Sequence, residues 1–140
     1  MDAFVGPAAV VDVSLFEGVI EANLLAYDPV SDGERLLLRT GRTIAGGQFP
    51  NEWPTLSEAC VKTLLSRGLR LLGVDAPSVD PRESKTLPVH RMLFSANAYI
   101  LENLDLRRVP IGPYELIALP LKLMALDAAP VRAVLRDTSA

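Results

Sequence analysis

The chain holds one cysteine and one histidine among 140 residues, and aromatic side chains make up only 6% of it. A single cysteine, Cys60, cannot close an internal disulfide, which agrees with a reducing, cytoplasmic setting. A single histidine, His90, leaves any metal site here with one imidazole at most. Basic residues number 14 against 17 acidic ones, for a net charge of −3. No Lys/Arg-rich run or basic stripe occurs, which argues against nucleic acid as a partner. Long hydrophobic runs are missing too. Stretches such as Leu116–Leu121 are broken by proline or charge and fall well short of a membrane span. The opening Met1-Asp2-Ala3-Phe4 has neither the basic start nor the sustained apolar core of a secretory signal.

What is present is apolar material enough for a core. Hydrophobic residues reach 49% and charged residues 22%, the balance of one globular domain rather than a disordered chain. Ala8–Ser14 is short and β-branched and reads as a strand, and Glu34–Thr40 reads as a second, after a turn at Asp32-Gly33. Leu15–Asp28 has mixed periodicity and yields no assignment. Gly46–Pro50 reads as a loop. Thr55-Leu56-Ser57-Glu58 has the form of a capping box, with Thr55 as the cap and Leu56, Ala59, Cys60, Thr63 and Leu64 on one helical face. Gly68 then ends the helix and Leu69–Val74 reads as a buried strand, the αβ half of an α/β unit. The polar stretch Asp75–Lys85 is a loop at that strand's carboxyl end, where ligands often sit in such folds. Tyr114–Leu119 and Val131–Leu135 read as two more short strands, punctuated by Pro110, Pro113, Pro120 and Pro130.

The stretch His90–Leu104, HRMLFSANAYILENL, poses the functional question. Glu102 follows His90 by 12 positions. In one straight helix a rise of about 1.5 Å per residue would hold the two roughly 18 Å apart, too far to share an ion whose ligand bonds are about 2 Å. A reversal of the chain removes the difficulty. Pro88 can open a helix, Asn97 can terminate it after about two turns, and Ala98–Glu102 can return as a strand. His90 and Glu102 could then meet. A lone histidine near a helix start is otherwise a solvated or hydrogen-bonded residue. A catalytic zinc takes three protein donors, so this pair alone does not complete one. Asp75, Asp80 and Glu83 are further candidate oxygen donors, or else loop carboxylates and turn caps.

Ordered blocks along nearly the whole chain carry a family resemblance. They are Arg39-Thr40-Gly41, Phe49–Glu58, Gly73–Thr86 (GVDAPSVDPRESKT), the His90…Glu102-Asn103-Leu104 pairing, Pro113–Leu121 (PYELIALPL) and Asp127–Leu135 (DAAPVRAVL). Together they resemble the bacterial kynurenine formamidase and cyclase family of metal-dependent hydrolases. The resemblance implies an α/β fold with a mixed sheet and flanking helices, of the swivelling β/β/α type. It implies hydrolysis of an amide, as in N-formylkynurenine or isatin, by a metal-activated water. It implies zinc or manganese as cofactor, a homo-oligomer, and His90 and Glu102 as metal ligands with catalytic standing. It further implies that Asp75 and Ser78 border the active-site loop, where Ser78 could hold a water or substrate group. The chain departs from the family in one respect. The H-x-G-T-H-x-D-x-P-x-H motif, which supplies the other donors, is absent, and Asp2–Val13 resembles the segment that follows it. The expectation is therefore an N-terminally truncated cyclase-like domain over 1–140, the C-terminal portion of the family domain, with weak or no activity alone. A sheet so opened would expose an edge and self-associate. The alternative is an inactive remnant that acts only through association with a partner chain.

Other residues carry two readings each. Trp53 either lines a pocket for an aromatic ring or anchors the loop before the helix. Lys85 either meets a substrate carboxylate or is solvated, and Glu115 falls on an outward or edge face. Arg39 either pairs with Asp75 or meets a ligand. Cys60 reads as a small buried hydrophobe.

Overall fold

The computed structural model describes residues 2–138. A 3-10 turn, Asp2–Phe4, leads into β1 (Val5–Asp12), followed by β2 (Val19–Ile20), α1 (Pro29–Asp32), β3 (Arg35–Arg39), β4 (Thr55–Leu56) and α2 (Glu58–Ser66). The chain continues through β5 (Leu71–Val74), α3 (Pro88–Ser95), β6 (Tyr99–Leu101), β7 (Gly112–Ile117) and β8 (Val134–Asp137). Among the described residues, six strands form one sheet in the order β6-β5-β3-β1-β7-β8, and β2 and β4 form a separate parallel pair. The four strands β6, β5, β3 and β1 run parallel, while β7 is antiparallel to β1 and β8 to β7. The fold is thus the expected mixed α/β sheet with flanking helices.

Alternation along the central strands explains why both faces are covered. Leu36, Leu38, Leu72 and Val74 point into one cluster with Cys60, Val61 and Leu64 of α2 and Val89 and Leu93 of α3. Leu37 and Leu71 point the other way, among Ala8, Val10, Leu101, Leu106, Leu116 and Ala118. A strand buried on both faces reads as an unbroken apolar run, which is what Leu36-Leu37-Leu38 shows. Gly73 marks the tightest point of the second face. A Cβ there would stand 2.3 Å from Leu37 Cδ2, so any side chain would force the buried Leu37 to shift.

Several sequence expectations shift. β1 begins at Val5 rather than Ala8 because β7 pairs along it from Val5 to Val10. Pro7 is tolerated because the β3 ladder starts only at Ala8, so its missing N–H interrupts no bond on that side. The helix cap is Ser57, not Thr55: its hydroxyl accepts from Cys60 N at 3.0 Å. Thr55 and Leu56 instead pair with Val19 and Ile20, within the segment that yielded no assignment. The buried face of α2 is accordingly Cys60, Val61 and Leu64, and Ala59 and Thr63 are exposed. Gly68 does close α2, in the left-handed region at φ 102°, with Leu69 N bonding back to Leu64 O at 3.0 Å. The last strand begins at Val134, three residues later than expected, after a single bridge between Pro120 and Val131. The reversal proposed for residues 88–102 is present: α3 opens on Pro88, Asn97 adopts φ 54°, and β6 follows.

Candidate functional site

Parallel strands carry their carboxyl ends to one edge of the sheet. There β5 and β6 lie in register, Gly73 opposite Leu101, so the residues that follow them leave the sheet side by side. Asn103 N bonds Ala76 O at 3.1 Å and Leu104 N bonds Val74 O at 3.1 Å, which ties the two exits together. Glu102 sits at the end of β6. His90 sits in the first turn of α3, and the packing of Val89 and Leu93 into the core fixes that helix. His90 Nε2 and Glu102 Oε1 are 3.2 Å apart, with side chains 19% and 28% exposed.

A ring of hydrogen bonds holds the pair. Val79 N donates to Glu102 Oε1 at 3.0 Å. Asp80, completely buried, accepts from Val89 N at 2.9 Å and His90 N at 3.0 Å. Its Oδ2 also meets His90 Nδ1 at 2.7 Å. Trp53 Nε1 donates to the Asp80 carbonyl at 3.0 Å, and Asp80 N donates to Ser78 Oγ at 3.1 Å. Trp53 is therefore the anchor of this loop, and it is buried. Phe94 stacks edge-on against the His90 ring. Along the loop that carries Ser78, residues Phe49, Trp53, Pro77, Ser78, Leu87 and Asn103 line a depression of about 350 Å³. Phe49 is exposed there, with the Arg82 guanidinium 5.6 Å from its ring centre.

The other predicted site residues divide between this loop and places away from it. Asp75 is completely buried, and its carboxylate accepts from Thr40 N at 2.8 Å, from the Thr40 hydroxyl, and from Gly41 N at 3.1 Å. It caps the turn after β3. Ser78 holds the loop through Asp80 N and reaches the depression. Glu83 is exposed and lies 3.9 Å from Arg82. Arg39 does not pair with Asp75: it bonds Asp12 at 2.6 Å and the Val109 carbonyl at 2.7 Å. Hydrogen bonds from Ser14 and Arg39 lower the Asp12 pKa to about 2. Burial raises the Cys60 thiol to about 11, so the reading of a small buried hydrophobe holds. Lys85 is exposed. Glu115 pairs across the strands with Arg136 at 2.6 Å. Among the described residues no group of three or more His, Cys, Asp or Glu side chains could hold a metal ion.

The comparisons with known proteins agree with this fold. Residues 1–81 match the family described as "Putative cyclase". A kynurenine formamidase of Bacillus cereus is 44% identical over 97% of this chain. The chain belongs to the cyclase family. A kynurenine formamidase of Sphingopyxis alaskensis is 40% identical over 96% of the chain. The chain spans 65% and 64% of these two relatives, less than two thirds of each. A solved structure described as a potential metal-dependent hydrolase with cyclase activity matches with a TM-score of 0.83 at 32% identity. That match covers 96% of this chain and 66% of the other. An isatin hydrolase bound to thioisatinate shares the fold, with a TM-score of 0.76 at 22% identity, over 94% of this chain and 60% of the other.

Within this cyclase chain, the residue that sequence reasoning undervalued is Asp80, taken there as a candidate donor or turn cap. Its spacing of ten from His90 gives no helical or strand periodicity to read. The available signal was the pairing of an aspartate before Pro81 with a histidine just after a helix-opening proline.

Proposed function

We propose that this chain supplies two donors, His90 and Glu102, to the metal centre of an amide hydrolase of the arylformamidase type. The observation that carries this reading is the convergence of His90 Nε2 and Glu102 Oε1 at 3.2 Å on the carboxyl edge of the parallel strands. The 44% identity to a kynurenine formamidase supports the reaction class. Neutral imidazole and carboxylate are donors that suit zinc or manganese. Their types fit such an ion, but two fall short of the three protein donors a catalytic zinc takes. The remaining donors are not found beside this pair among the described residues. A bound divalent ion would polarise an amide carbonyl and acidify a water. The chain's own residues do the rest of the positioning. Val79 N–H orients the Glu102 carboxylate, and Trp53 pins the loop that carries Val79 and Asp80. The depression with Phe49, Trp53 and Leu87 offers an apolar wall to an aryl ring, with Arg82 beside it for a carboxylate.

The shortfall in donors favours a second reading: a non-catalytic chain that keeps the fold and acts by association. An exposed apolar series, Leu119, Leu121, Leu123, Met124 and Leu126, adds to it. The deciding experiment purifies the chain in the assembly in which it occurs. Zinc and manganese are then counted per copy after dialysis, alongside formate release from N-formylkynurenine. About one ion per copy, with release abolished in Glu102→Gln, supports the hydrolase. No retained ion and no release overturns it in favour of the second reading.

A further inference from the structure

The centre described above leaves one completely buried carboxylate without an assigned task. Asp80 has no exposed surface, and both its oxygens are used. Oδ1 accepts the N–H of Val89 at 2.9 Å, and Oδ2 accepts the N–H of His90 at 3.0 Å while touching His90 Nδ1 at 2.7 Å. Two main-chain donors on the two oxygens make this carboxyl an acceptor. The proton in its third contact therefore belongs to the ring nitrogen. From this geometry we infer that Asp80 is a positioning residue that fixes His90 as the Nδ1–H tautomer.

Three consequences follow from the same distances. In the neutral ring, with Nδ1 committed as a donor, the Nε2 lone pair is the one aimed at Glu102 Oε1, 3.2 Å away. Two acceptors then face each other across a short gap, an arrangement that a cation between them relieves. Second, the same carboxylate that sets the ring also satisfies the first amides of α3, where Leu87 at φ 48° offers no side-chain cap. Ring orientation and helix start are thus held by one group, Asp80. Third, Glu102 is held from the Val79 side, so the loop 78–80 sets both members of the pair. The geometry of the pair is therefore built by the protein before any ion arrives.

The functional meaning of this inference rests on the reading of His90 as a metal donor, but its test does not. Because the chain has one histidine, a two-bond proton–nitrogen correlation spectrum of uniformly 15N-labelled, metal-free protein shows a single imidazole. It is recorded in the high-pH plateau, where the ring shifts no longer change. The wild-type chain should show a pyrrole-type Nδ1 and a pyridine-type Nε2. Asp80→Asn, whose amide nitrogen can donate to Nδ1, should invert the pattern to the Nε2–H form that free histidine prefers. Glu102→Gln should leave the Nδ1–H form in place. A wild-type spectrum of the Nε2–H form overturns the inference. So does a folded Asp80→Asn protein that keeps Nδ1–H, or an inversion caused by Glu102→Gln. If Asp80→Asn does not fold by circular dichroism, the wild-type spectrum alone decides. A failed tautomer assignment removes only the role of Asp80, whereas metal retention per copy tests the donor reading.

Discussion

At one end of the loop after β5, Asp75 turns back toward β3; at the other, Asp80 reaches forward to α3. Both carboxylates are completely buried, and each receives main-chain N–H bonds. Their partners separate them. Asp75 meets only the amides of Thr40 and Gly41 and the Thr40 hydroxyl, groups that cannot change charge or move far. Asp80 meets an imidazole that passes the contact on to a partly exposed glutamate. Burial of an acid therefore identifies a structural demand in both cases. Only the second partner, and the route from it to solvent, marks a site.

Mutating the two acids sharpens this contrast. Asp75→Ala strands two buried donors of Thr40 and a partly buried one of Gly41 and should cost about 3–5 kcal/mol in denaturant unfolding, the largest effect expected, while the His90 tautomer stays unchanged. Asp80→Asn keeps part of the helix cap and should cost less, about 1–3 kcal/mol, yet it alone should invert the tautomer. A stability loss at Asp80 equal to that at Asp75, with no spectroscopic change, would make the two acids equivalent and break the comparison.

The fold was more legible than the site because of where the information lies. Gly68, the Leu36–Leu38 run and the Pro88…Asn97 punctuation act locally, through positive φ, two-sided burial and a missing donor, so they can be read from neighbours in sequence. The cap at Ser57 was misplaced by two residues because Thr55 is held by a ladder to Val19, a pairing that no local pattern reveals. The early start of β1 has the same origin in β7. At the site, the meeting of His90 and Glu102 followed from a chain reversal and was readable. The bonds of Asp80 and Asp75 were not, because they join residues through a loop whose path depends on the packing of Trp53 and Leu93.

Smaller effects test the exposed side of the contrast. Glu102→Gln retains an acceptor for Val79 N, so it should change stability by less than about 1 kcal/mol while removing any response to zinc. Asp12→Asn breaks a partly exposed pair with Arg39 and should also cost less than about 1 kcal/mol. The pH dependence has a definite sign. Asp12 titrates at about 2 in the folded chain against an ordinary 3.8, so its contribution is complete above the ordinary value. It is lost as pH falls toward 2. Unfolding curves of wild type and Asp12→Asn should therefore differ at neutral pH and converge at the acid end of that window. A difference that grows in acid would contradict the assignment.

The most direct test of the account is a zinc titration of the 140-residue chain followed at its single imidazole by 15N spectroscopy. Two preformed donors bind an ion weakly, but enough to register at high zinc. The account predicts that the Nε2 resonance moves with added zinc while Nδ1 keeps its proton, and that Glu102→Gln abolishes the movement. An imidazole that ignores zinc, or one that responds equally without Glu102, would contradict the claim that these two residues form part of a metal centre.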